Sequence, residues 1–390
     1  QEVYEGKLDE HFPVDVYQTG SGTSTNMNAN EVIANRCSQI AGKSIGSKDP
    51  VHPNDHVNQG QSSNDTFPTA MHIATGVAIK ENLVPSLEKL QASLQKKSEE
   101  FHDILKIGRT HLMDATPVRL GQEFGGYAKQ VERCIDRAHK GLKAIHELAL
   151  GGTAVGTGLN CHPDFPGKAI AFIAEKTGIE FREAENHFEA QAAKDSLVEC
   201  HGQLNTIAAS LFKVANDIRL LGSGPRCAIG EISLPATQPG SSIMPGKVNP
   251  VMSEAVTMVA ARVFGNQSTV TWCGANGHFE LNVFMPVMSK AIMESIELLG
   301  SVSDAFSSRC VDGITANTER CNELIEYSLS MVTSLAPIIG YEVAAKIAKE
   351  SVSSGKTVRE LCLEQLGELN ITEEELNAAL EPSSMTEPKA

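Results

Sequence analysis

Residues 190–221 read AQAAKDSLVECHGQLNTIAASLFKVANDIRLL, and this stretch indicates the fold more clearly than any other. Apolar residues recur along it at the spacing of one helical face, at Leu197, Leu204, Ala208, Leu211, Ile218 and Leu221. The part from Ile207 to Leu221 also carries apolar residues on other faces, which is typical of a helix buried on several sides. The stretch therefore predicts a long helix with several packed neighbours, and it favours oligomerisation through a helical bundle.

Four further runs show apolar residues at helical spacing. They extend from Phe67 to about Ile107, over Leu120–Leu148, over Val251–Phe264 and over Pro286–Phe306. The first run is longer than ordinary globular helices, and Pro85 predicts a kink within it. No convincing alternation of apolar and polar residues indicates strands between the runs. Five long helices without strands between them predict an all-α fold, an elongated bundle of long helices.

Smaller domains are expected on either side of the bundle. The first part of the chain is polar with one short helix predicted near Asn28–Ile40, and after Gly313 the chain is more charged with shorter helices. We therefore predict an N-terminal domain, a central long-helix domain and a small C-terminal helical domain, at residues 1–60, 61–315 and 316–390.

The bulk composition argues against some classes of partner. The 390 residues carry a formal net charge of −15, which disfavours nucleic acid or an anionic membrane as the main partner. Hydrophobic residues make up 41% of the chain but aromatic residues only 5%, so aliphatic side chains must supply most of the core. No apolar run approaches the ~18–20 residues of a membrane span, and we expect a soluble protein.

The nine cysteines scatter from Cys37 to Cys362 and include no Cys-x-x-Cys pair. This pattern favours reduced thiols in a cytosol-like compartment over a disulfide framework or a zinc site, so we expect a cytoplasmic protein. The chain has no initiator Met, and its start at Gln1 has no targeting character, so we expect it to begin part-way into a domain. A mitochondrial matrix location stays open, because a removed targeting segment would have preceded Gln1.

Residues 240–250 read GSSIMPGKVNP and form the most informative polar loop. Gly240 and Gly246 allow backbone angles that other residues avoid, and two prolines hold the chain out of a continuous helix. The loop holds two adjacent serines, the Lys247 cation and an amide. We therefore predict a mobile loop that offers a nucleophile or base beside a carboxylate-binding cation.

Three other polar regions lie between or at the ends of the helical runs, where loops on a rigid frame often carry function. They read QTGSGTSTNMN at 18–28, HPND at 52–55 followed by QSSND at 61–65, and GRTHLMDATP at 108–117. All of them offer hydrogen-bond donors suited to carboxylates. Together the regions predict a small, multiply anionic substrate and proton-transfer chemistry.

Each polar region also has a structural interpretation. Runs of Gly, Ser and Thr are usually linkers, and any of Ser63, Asn64 or Asp65 could simply cap the first long helix. A lone His is more often structural, yet His111 is the best candidate for general acid–base catalysis because it follows Arg and Thr in a loop. Glu254 could be a first-turn acid favoured by the helix dipole, or the carboxylate that orients an imidazole.

The motifs of common cofactors are missing from the sequence. The histidines lack the spacing of metal ligands, and no Gly-x-x-x-x-Gly-Lys-[Ser/Thr] loop is present for nucleotide phosphates. The glycines at residues 20–22 are not followed by a strand–helix unit of Rossmann type. We therefore expect no metal and no cofactor.

The polar regions resemble those of the class II fumarases, within the fumarase/aspartase superfamily. Their order and intervals agree, and the resemblance covers essentially the whole chain, including ELALGGTAVGTG at 147–158 and SGPR at 223–226. Fumarases typically carry Gly-Arg-Thr-His, Gln-Ser-Ser-Asn-Asp and Met-Pro-Gly-Lys, where aspartases have Gln, Thr and Ala. This chain has His111, Ser63 and Gly246 at those positions, which favours the fumarases. The alternatives are an aspartase-like or other fumarate-releasing lyase of the superfamily and a non-catalytic structural relative.

The resemblance implies a metal-independent interconversion of L-malate and fumarate, a step of the tricarboxylic acid cycle, through an aci-carboxylate intermediate. Ser241 would remove the C3 proton of malate, while His111, paired with Glu254, would handle the water. The substrate carboxylates would be held by Ser21, Thr23, Ser62, Ser63, Asn64, Thr110, Lys247 and Asn249. A second dicarboxylate site would lie at His52, Asn54 and Asp55.

The resemblance also implies a homotetramer whose core is a bundle of long helices. Each active site would collect its polar regions from three subunits, so these regions need not meet within one chain. Several dozen residues are expected to precede the position of Gln1 in members of the family.

Overall fold

Helices dominate the computed structural model, which describes residues 1–388. In chain order the α-helices of this part are α1 (Thr23–Ile40), α2 (Ser63–Ala78), α3 (Val84–Glu100), α4 (Leu120–Ala144), α5 (Phe165–Thr177), α6 (His187–Ala192), α7 (Asp195–Leu221), α8 (Val251–Gly274), α9 (Met285–Arg309), α10 (Thr318–Tyr327), α11 (Ala336–Ile339), α12 (Tyr341–Ser354), α13 (Val358–Glu364), α14 (Leu366–Leu369) and α15 (Glu373–Ala379). The prediction of an all-α protein built on long helices is confirmed.

The strands are short and pair in twos. They are β1 (Leu105–Thr110), β2 (Met113–Arg119), β3 (Glu147–Leu148), β4 (Arg182–Glu183), β5 (Ile232–Ser233), β6 (Gly277–His278), β7 (Leu281–Asn282) and β8 (Thr315–Ala316). Strand β1 pairs with β2, β5 with β8 and β6 with β7 in antiparallel fashion, whereas β3 and β4 are parallel. Shorter 3-10 segments lie at Asp9–His11, Val311–Gly313, Leu329–Ser334 and Pro382–Met385, and π-helical turns lie at Pro53–Val57 and Ile79–Leu83.

Most of the predicted helical runs correspond to single long helices, α4, α7, α8 and α9. The predicted run from Phe67 to Ile107 is instead divided into α2 and α3 by the π-helical turn Ile79–Leu83, and α3 ends at Glu100. Pro85 is the second residue of α3. Proline has no N–H to donate to the preceding turn of a helix. The wider π-helical turn directly before α3 accommodates this missing hydrogen bond, and it lies where the sequence predicts an irregularity.

The β1–β2 hairpin is the main feature that the sequence does not reveal. Its register shifts between Ile107 and Arg109, where the single residue Gly108 lies opposite Ala115 and Thr116, which marks a β-bulge on β2. A Cβ at Gly108 would lie 2.7 Å from the carbonyl oxygen of Thr116, so only glycine fits this position without a shift of the backbone. The expectation of helix up to Ile107 is wrong, because α3 ends at Glu100 and three consecutive residues of β1, at 106–108, are buried, so the strand lacks the alternation by which strands are recognised.

The chain forms two compact units. The first consists of Gln1–Leu87, Arg133–Phe212 and Thr257–Ser303, and the second consists of Glu88–Glu132, Lys213–Val256 and the chain from Asp304 onward. Helices α3, α4, α7, α8 and α9 contribute residues to both units. The domain boundaries expected from the sequence, at residues 60 and 315, stay a prediction.

Each unit has an aliphatic core. One cluster in the first unit contains the buried side chains of Leu148, Leu150, Ile170, Ile179 and Phe181. One cluster in the second unit includes Met331, Leu335, Ile347, Leu361 and Leu376. Burying each such side chain contributes about 1.5–3 kcal/mol to folding. No helix within residues 1–388 is both long enough and apolar enough to cross a bilayer.

Candidate active site

Three predicted substrate-binding hydroxyls meet in the first unit, and we call them the hydroxyl cluster: Ser21, Thr23 and Ser63. The Oγ1 atom of Thr23 lies 2.8 Å from the Oγ atoms of both serines. Ser21 and Ser63 are only 5% and 9% exposed. Thr23 and Ser63 are the first residues of α1 and α2. The cluster therefore combines three hydroxyls with two helix N-termini, an arrangement suited to an anion.

Gly22 permits this close arrangement. It caps α1 with a φ of 74°, in the left-handed region that favours glycine. The ring of Phe67 on α2 occupies the space that a Cβ at Gly22 would need. A side chain at this position would therefore push α1 and α2 apart.

The segment before α2 forms a capping box, as one structural interpretation of the sequence suggests. Ser62 Oγ accepts a hydrogen bond from the N–H of Asn64 at 3.2 Å, and the N–H of Ser62 donates to Asp65 Oδ1 at 3.0 Å. The Asn64 side chain donates to the carbonyl of Ala154 at 2.8 Å. The same short motif thus caps the helix and fixes the amide that is expected to meet substrate.

Asp65 is a structural residue whose importance the sequence does not show. Its Oδ2 atom accepts hydrogen bonds from the N–H groups of Gly151 and Thr153, at 3.0 and 2.9 Å. The carboxyl is fully buried, and burial raises its pKa, although the backbone donors act in the opposite direction. Asp65 therefore ties the Gly-rich segment after β3 to the N-terminus of α2.

The predicted second dicarboxylate site lies around a π-helical turn of the first unit. His52 Nδ1 accepts hydrogen bonds from the N–H groups of Asn54 and Asp55, at 3.2 and 3.1 Å. The Asp55 carboxylate is 3.4 Å from the same nitrogen. Because Nδ1 accepts from the backbone, we assign the ring proton to Nε2, and the contact with Asp55 is not a hydrogen bond. The role of these residues as a second site stays a prediction.

Thr110 and His111 lie at the tip of the hairpin in the second unit. His111 and Leu112 form the two-residue turn and have φ angles of 58° and 61°, which non-glycine residues adopt only at a cost. All three residues are exposed. Within residues 1–388 the His111 side chain makes no hydrogen bond or ion pair.

A group of charged side chains, which we call the ion cluster, lies beneath this tip: Lys106, Arg109, Glu123 and Glu231. Arg109 donates two hydrogen bonds to the carboxylate of Glu231, at 2.9 and 3.0 Å. Lys106 Nζ lies 3.2 Å from Glu231 and 3.4 Å from Glu123. The side chains of Lys106 and Glu231 are 1% and 0% exposed. The Gly-Arg-Thr-His motif drew attention to Arg109, but no sequence signal marked Glu231 or Lys106.

The loop at 240–250, which we call the serine loop, closes on itself in the second unit. The N–H of Ser241 donates to the carbonyl of Lys247, and the N–H of Lys247 donates to Met244, both at 3.2 Å. The Ser241 Oγ atom accepts hydrogen bonds from the N–H groups of Ile243 and Met244, at 3.3 and 3.1 Å. Two backbone donors thus point at the oxygen that is predicted to act as the base.

A cavity of about 690 Å³ opens beside the serine loop. Residues 246–250, which include Lys247 and Asn249, line it on one side, and residues 219–220, 222–225 and 232–234 line the rest. Lys247 and Asn249 are exposed, as is Glu254 in the first turn of α8. The N–H of Glu254 donates to the carbonyl of Pro250 at 3.1 Å, so the helix starts directly where the loop ends.

The predicted site residues therefore form two groups. Ser21, Thr23, Ser62, Ser63 and Asn64 lie in the first unit, whereas Thr110, His111, Ser241, Lys247, Asn249 and Glu254 lie in the second. The pairing of His111 with Glu254 stays a prediction. Within residues 1–388, no group of three or more His, Cys, Asp or Glu side chains is arranged to hold a metal ion.

Comparison with known protein families shows that the chain is a lyase. The model of the lyase family matches residues 1–265, and that of the fumarase C C-terminus matches residues 331–387. The chain belongs to the class II fumarate hydratase family, as its similarity to individual relatives shows.

Curated relatives match along the whole chain. The mitochondrial fumarate hydratase of Macaca fascicularis is 57% identical over 388 residues, which cover all of this chain and 76% of that protein. The class II fumarate hydratase of Methylorubrum extorquens is 55% identical over 389 residues, covering all of this chain and 82% of that protein. The class II fumarase of Schistosoma mansoni has a similar structure, with a TM-score of 0.94 and 40% identity over all of this chain and 84% of that one.

Proposed function

We propose that the protein is a fumarate hydratase that interconverts L-malate and fumarate. The single observation that carries this proposal is the environment of Ser241, whose Oγ atom accepts hydrogen bonds from two backbone N–H groups. Such donors stabilise negative charge on the oxygen, as a serine that acts as a base requires. The relatives at 55–57% identity bear the same activity in their names.

The proposed reaction begins with removal of the C3 proton of malate by Ser241. The electron pair of the broken C–H bond moves into the adjacent carboxylate and gives an aci-carboxylate. The electron pair then returns from the aci-carboxylate to form the C2–C3 double bond as the C2–O bond breaks, and His111, oriented by Glu254, donates a proton so that the hydroxyl leaves as water. Lys247 and Asn249 are assigned to the carboxylate that gains charge, because preorganised donors there are worth about 3–4 kcal/mol each.

The remaining binding groups are assigned to join Lys247 and Asn249 in holding the substrate carboxylates. The hydroxyl cluster, Ser62, Asn64 and Thr110 together supply neutral donors that suit a carboxylate. These assignments, like the second dicarboxylate site at His52, Asn54 and Asp55, rest on the resemblance of the motifs. The proposal requires no metal or cofactor.

The assay that tests the proposal follows the ultraviolet absorbance of fumarate after L-malate is added, with L-aspartate in a parallel sample. We expect absorbance to rise with malate alone. A rise with aspartate alone would identify an aspartase-like lyase, against which His111, Ser63 and Gly246 argue.

We also propose that the protein is a homotetramer with active sites shared by three subunits. One exposed face of helix α8 supports association between subunits. Its residues recur at alternating spacings of three and four positions: Met258, Ala261, Gly265, Ser268 and Trp272. Small residues in the middle of such a face let two helices approach closely, and the large apolar residues at its ends remove area from water on contact. A solution mass of four times 41.8 kDa is expected.

Complementation tests the sharing of sites. Ser241→Ala and Asn64→Ala subunits, each of low activity, are unfolded, mixed and refolded together. If the two residues of one site come from different chains, some sites in the mixed tetramers are free of both changes, and activity rises above that of either parent. If both residues come from one chain, every site stays damaged and the mixture is no more active than its parents.

For the compartment we propose the cytoplasm or, for a chain that carries a targeting segment, the mitochondrial matrix. The relatives include both mitochondrial and bacterial proteins. Fractionation of the source cells with malate-dependent activity as the marker distinguishes the two.

A further inference from the structure

We propose that Glu231 is a positioning residue for the reaction, because its buried carboxylate holds the hairpin whose tip carries Thr110 and His111. The inference rests on the proposed function for its activity readout. Glu231 touches no substrate in this proposal, and it acts through Arg109 and the backbone of β1.

The contact between Glu231 and Arg109 restricts the orientation of β1. A bidentate pair between a guanidinium and a carboxylate fixes both distance and plane, which a single ion pair does not. Glu231 is fully buried, and Arg109 is only 16% exposed, so water screens the pair weakly. Arg109 is two residues before His111. A change in the orientation of Arg109 would therefore move the turn directly.

Glu231 holds β1 at two points, through Lys106 and Arg109. Lys106 and Arg109 are three residues apart, and in a regular strand their side chains would point to opposite faces. Both cations nevertheless contact the same carboxylate, at 3.2 and 2.9 Å. Glu231 is thus the only member of the ion cluster whose carboxylate contacts both cations in the described residues, since Glu123 contacts Lys106 alone.

Glu231 is itself attached to a rigid support. Its N–H donates to the carbonyl of Leu221 at the end of α7, at 3.0 Å. Its carbonyl accepts from the N–H of Asn317 at 2.9 Å, and Asn317 is the residue before α10. The Cys321 thiol donates to the same carbonyl at 3.6 Å. A residue anchored to two helices in this way transmits little motion to the side chains that it holds.

The turn at the tip needs such support. His111 and Leu112 both have positive φ angles, which non-glycine residues adopt only at an energetic cost. A two-residue turn of this kind persists only when the strands that flank it are held in register. Loss of the Glu231 carboxylate would release one strand and allow the tip to relax, which would displace the imidazole.

The test compares Glu231→Gln with Glu123→Gln in the full chain. Both changes remove one carboxylate charge from the ion cluster, but only the first removes the partner of Arg109. We expect Glu231→Gln to lower kcat about 10- to 100-fold with KM changed less than about threefold, since small misplacements of catalytic groups have effects of this size. Glu123→Gln should keep kcat within about twofold of the parent, on the same principle.

Hydrogen exchange of the peptide covering residues 105–119 supplies the second readout. It should be faster in Glu231→Gln than in Glu123→Gln, while exchange of residues 341–364 is the same in both. Unchanged kcat in folded Glu231→Gln would overturn the proposal, and so would a lower kcat without faster exchange in the hairpin. If Glu231→Gln does not fold, Arg109→Lys keeps the charge but not the bidentate contact, and the same two readouts are expected to change.

The activity of the unmodified protein tests the proposed function separately from the role of Glu231. If the unmodified protein converts no malate, the proposed function fails. The comparison of exchange rates in the hairpin would still show whether Glu231 holds β1.

Discussion

The hydroxyl cluster and the serine loop differ in how they hold their polar groups. In the cluster, the Ser21 and Ser63 hydroxyls are buried at two helix N-termini and contact each other through Thr23. In the loop, residues 242–249 are exposed and the Ser241 hydroxyl, the proposed base, is held by hydrogen bonds of the loop's own backbone. In the proposed function, the groups that bind a carboxylate are thus fixed before substrate arrives, whereas the proposed base lies on an exposed segment.

This contrast predicts different kinetic signatures for the two regions. Changes in the hydroxyl cluster should mainly weaken binding, because in the proposed function those donors contact substrate in the ground state and the transition state alike. Changes in the serine loop should mainly lower turnover. The predictions below test this division.

The largest effect is expected for Ser241→Ala. Removal of a general base lowers kcat by about 10²–10⁴-fold, and KM should change by less than about threefold. Steady-state kinetics with malate measure both constants. The neighbouring Ser242→Ala is the matched control and should keep parental kinetics, because Ser242 is exposed and has no assigned role. Near-normal turnover in Ser241→Ala would show that the base is another residue.

The two regions differ in how far each could be predicted from the sequence. The serine loop could be recognised from residues 240–250 alone, since its glycines, prolines and polar groups are contiguous. The hydroxyl cluster joins Thr23 to Ser63 across 40 residues, and only a known family or a structure brings them together. The spacing of residues along the sequence does not show which helix N-termini lie next to each other in the fold.

Charged residues in the core were the least predictable. Lys106 and Glu231 lie among apolar neighbours in the sequence but are fully buried with each other. From a single sequence, charged residues are predicted to be exposed, because a charged side chain is buried only where it has a partner. The partner of Lys106 is 125 residues away in sequence, so the pair could not be inferred from its surroundings. The hairpin was concealed for another reason, since three consecutive buried residues of β1, at 106–108, hide the alternation that is typical of a strand.

A smaller effect is expected on the pH dependence of stability in the first unit. His72 on α2 donates from Nδ1 to the carbonyls of Glu147 and Ile145, at 2.8 and 3.1 Å. Burial, together with the charge of Lys194, lowers the pKa of His72 to about 4. The folded state therefore favours the neutral ring of His72. The stability that this preference contributes to the folded protein is fully present above pH 6.5 and is lost as the pH falls toward 4.

His72→Asn tests this contribution because its amide can donate in place of Nδ1 but does not titrate. The ring lines a polar cavity of about 480 Å³, so water screens it, and we expect a loss of about 1–2 kcal/mol between pH 6.5 and 4 in the parent. Denaturant unfolding at a fixed protein concentration should show a flatter pH dependence for the variant. If the free energy of unfolding changes with pH to the same extent in both proteins, groups other than His72 determine the pH dependence.

The smallest effect is expected for Thr23→Val, which removes the central hydroxyl of the cluster and keeps the shape of the side chain. One lost hydrogen bond to a charged substrate costs about 1.5 kcal/mol, which corresponds to a rise in KM of about tenfold with kcat little changed. Ser24→Ala is the control, because the Ser24 hydroxyl is next in sequence but contacts Thr19 instead of the cluster. A fall in kcat without a change in KM would contradict the division between a binding region and a reactive region. Equal KM values in both variants would instead remove the hydroxyl cluster from the substrate site.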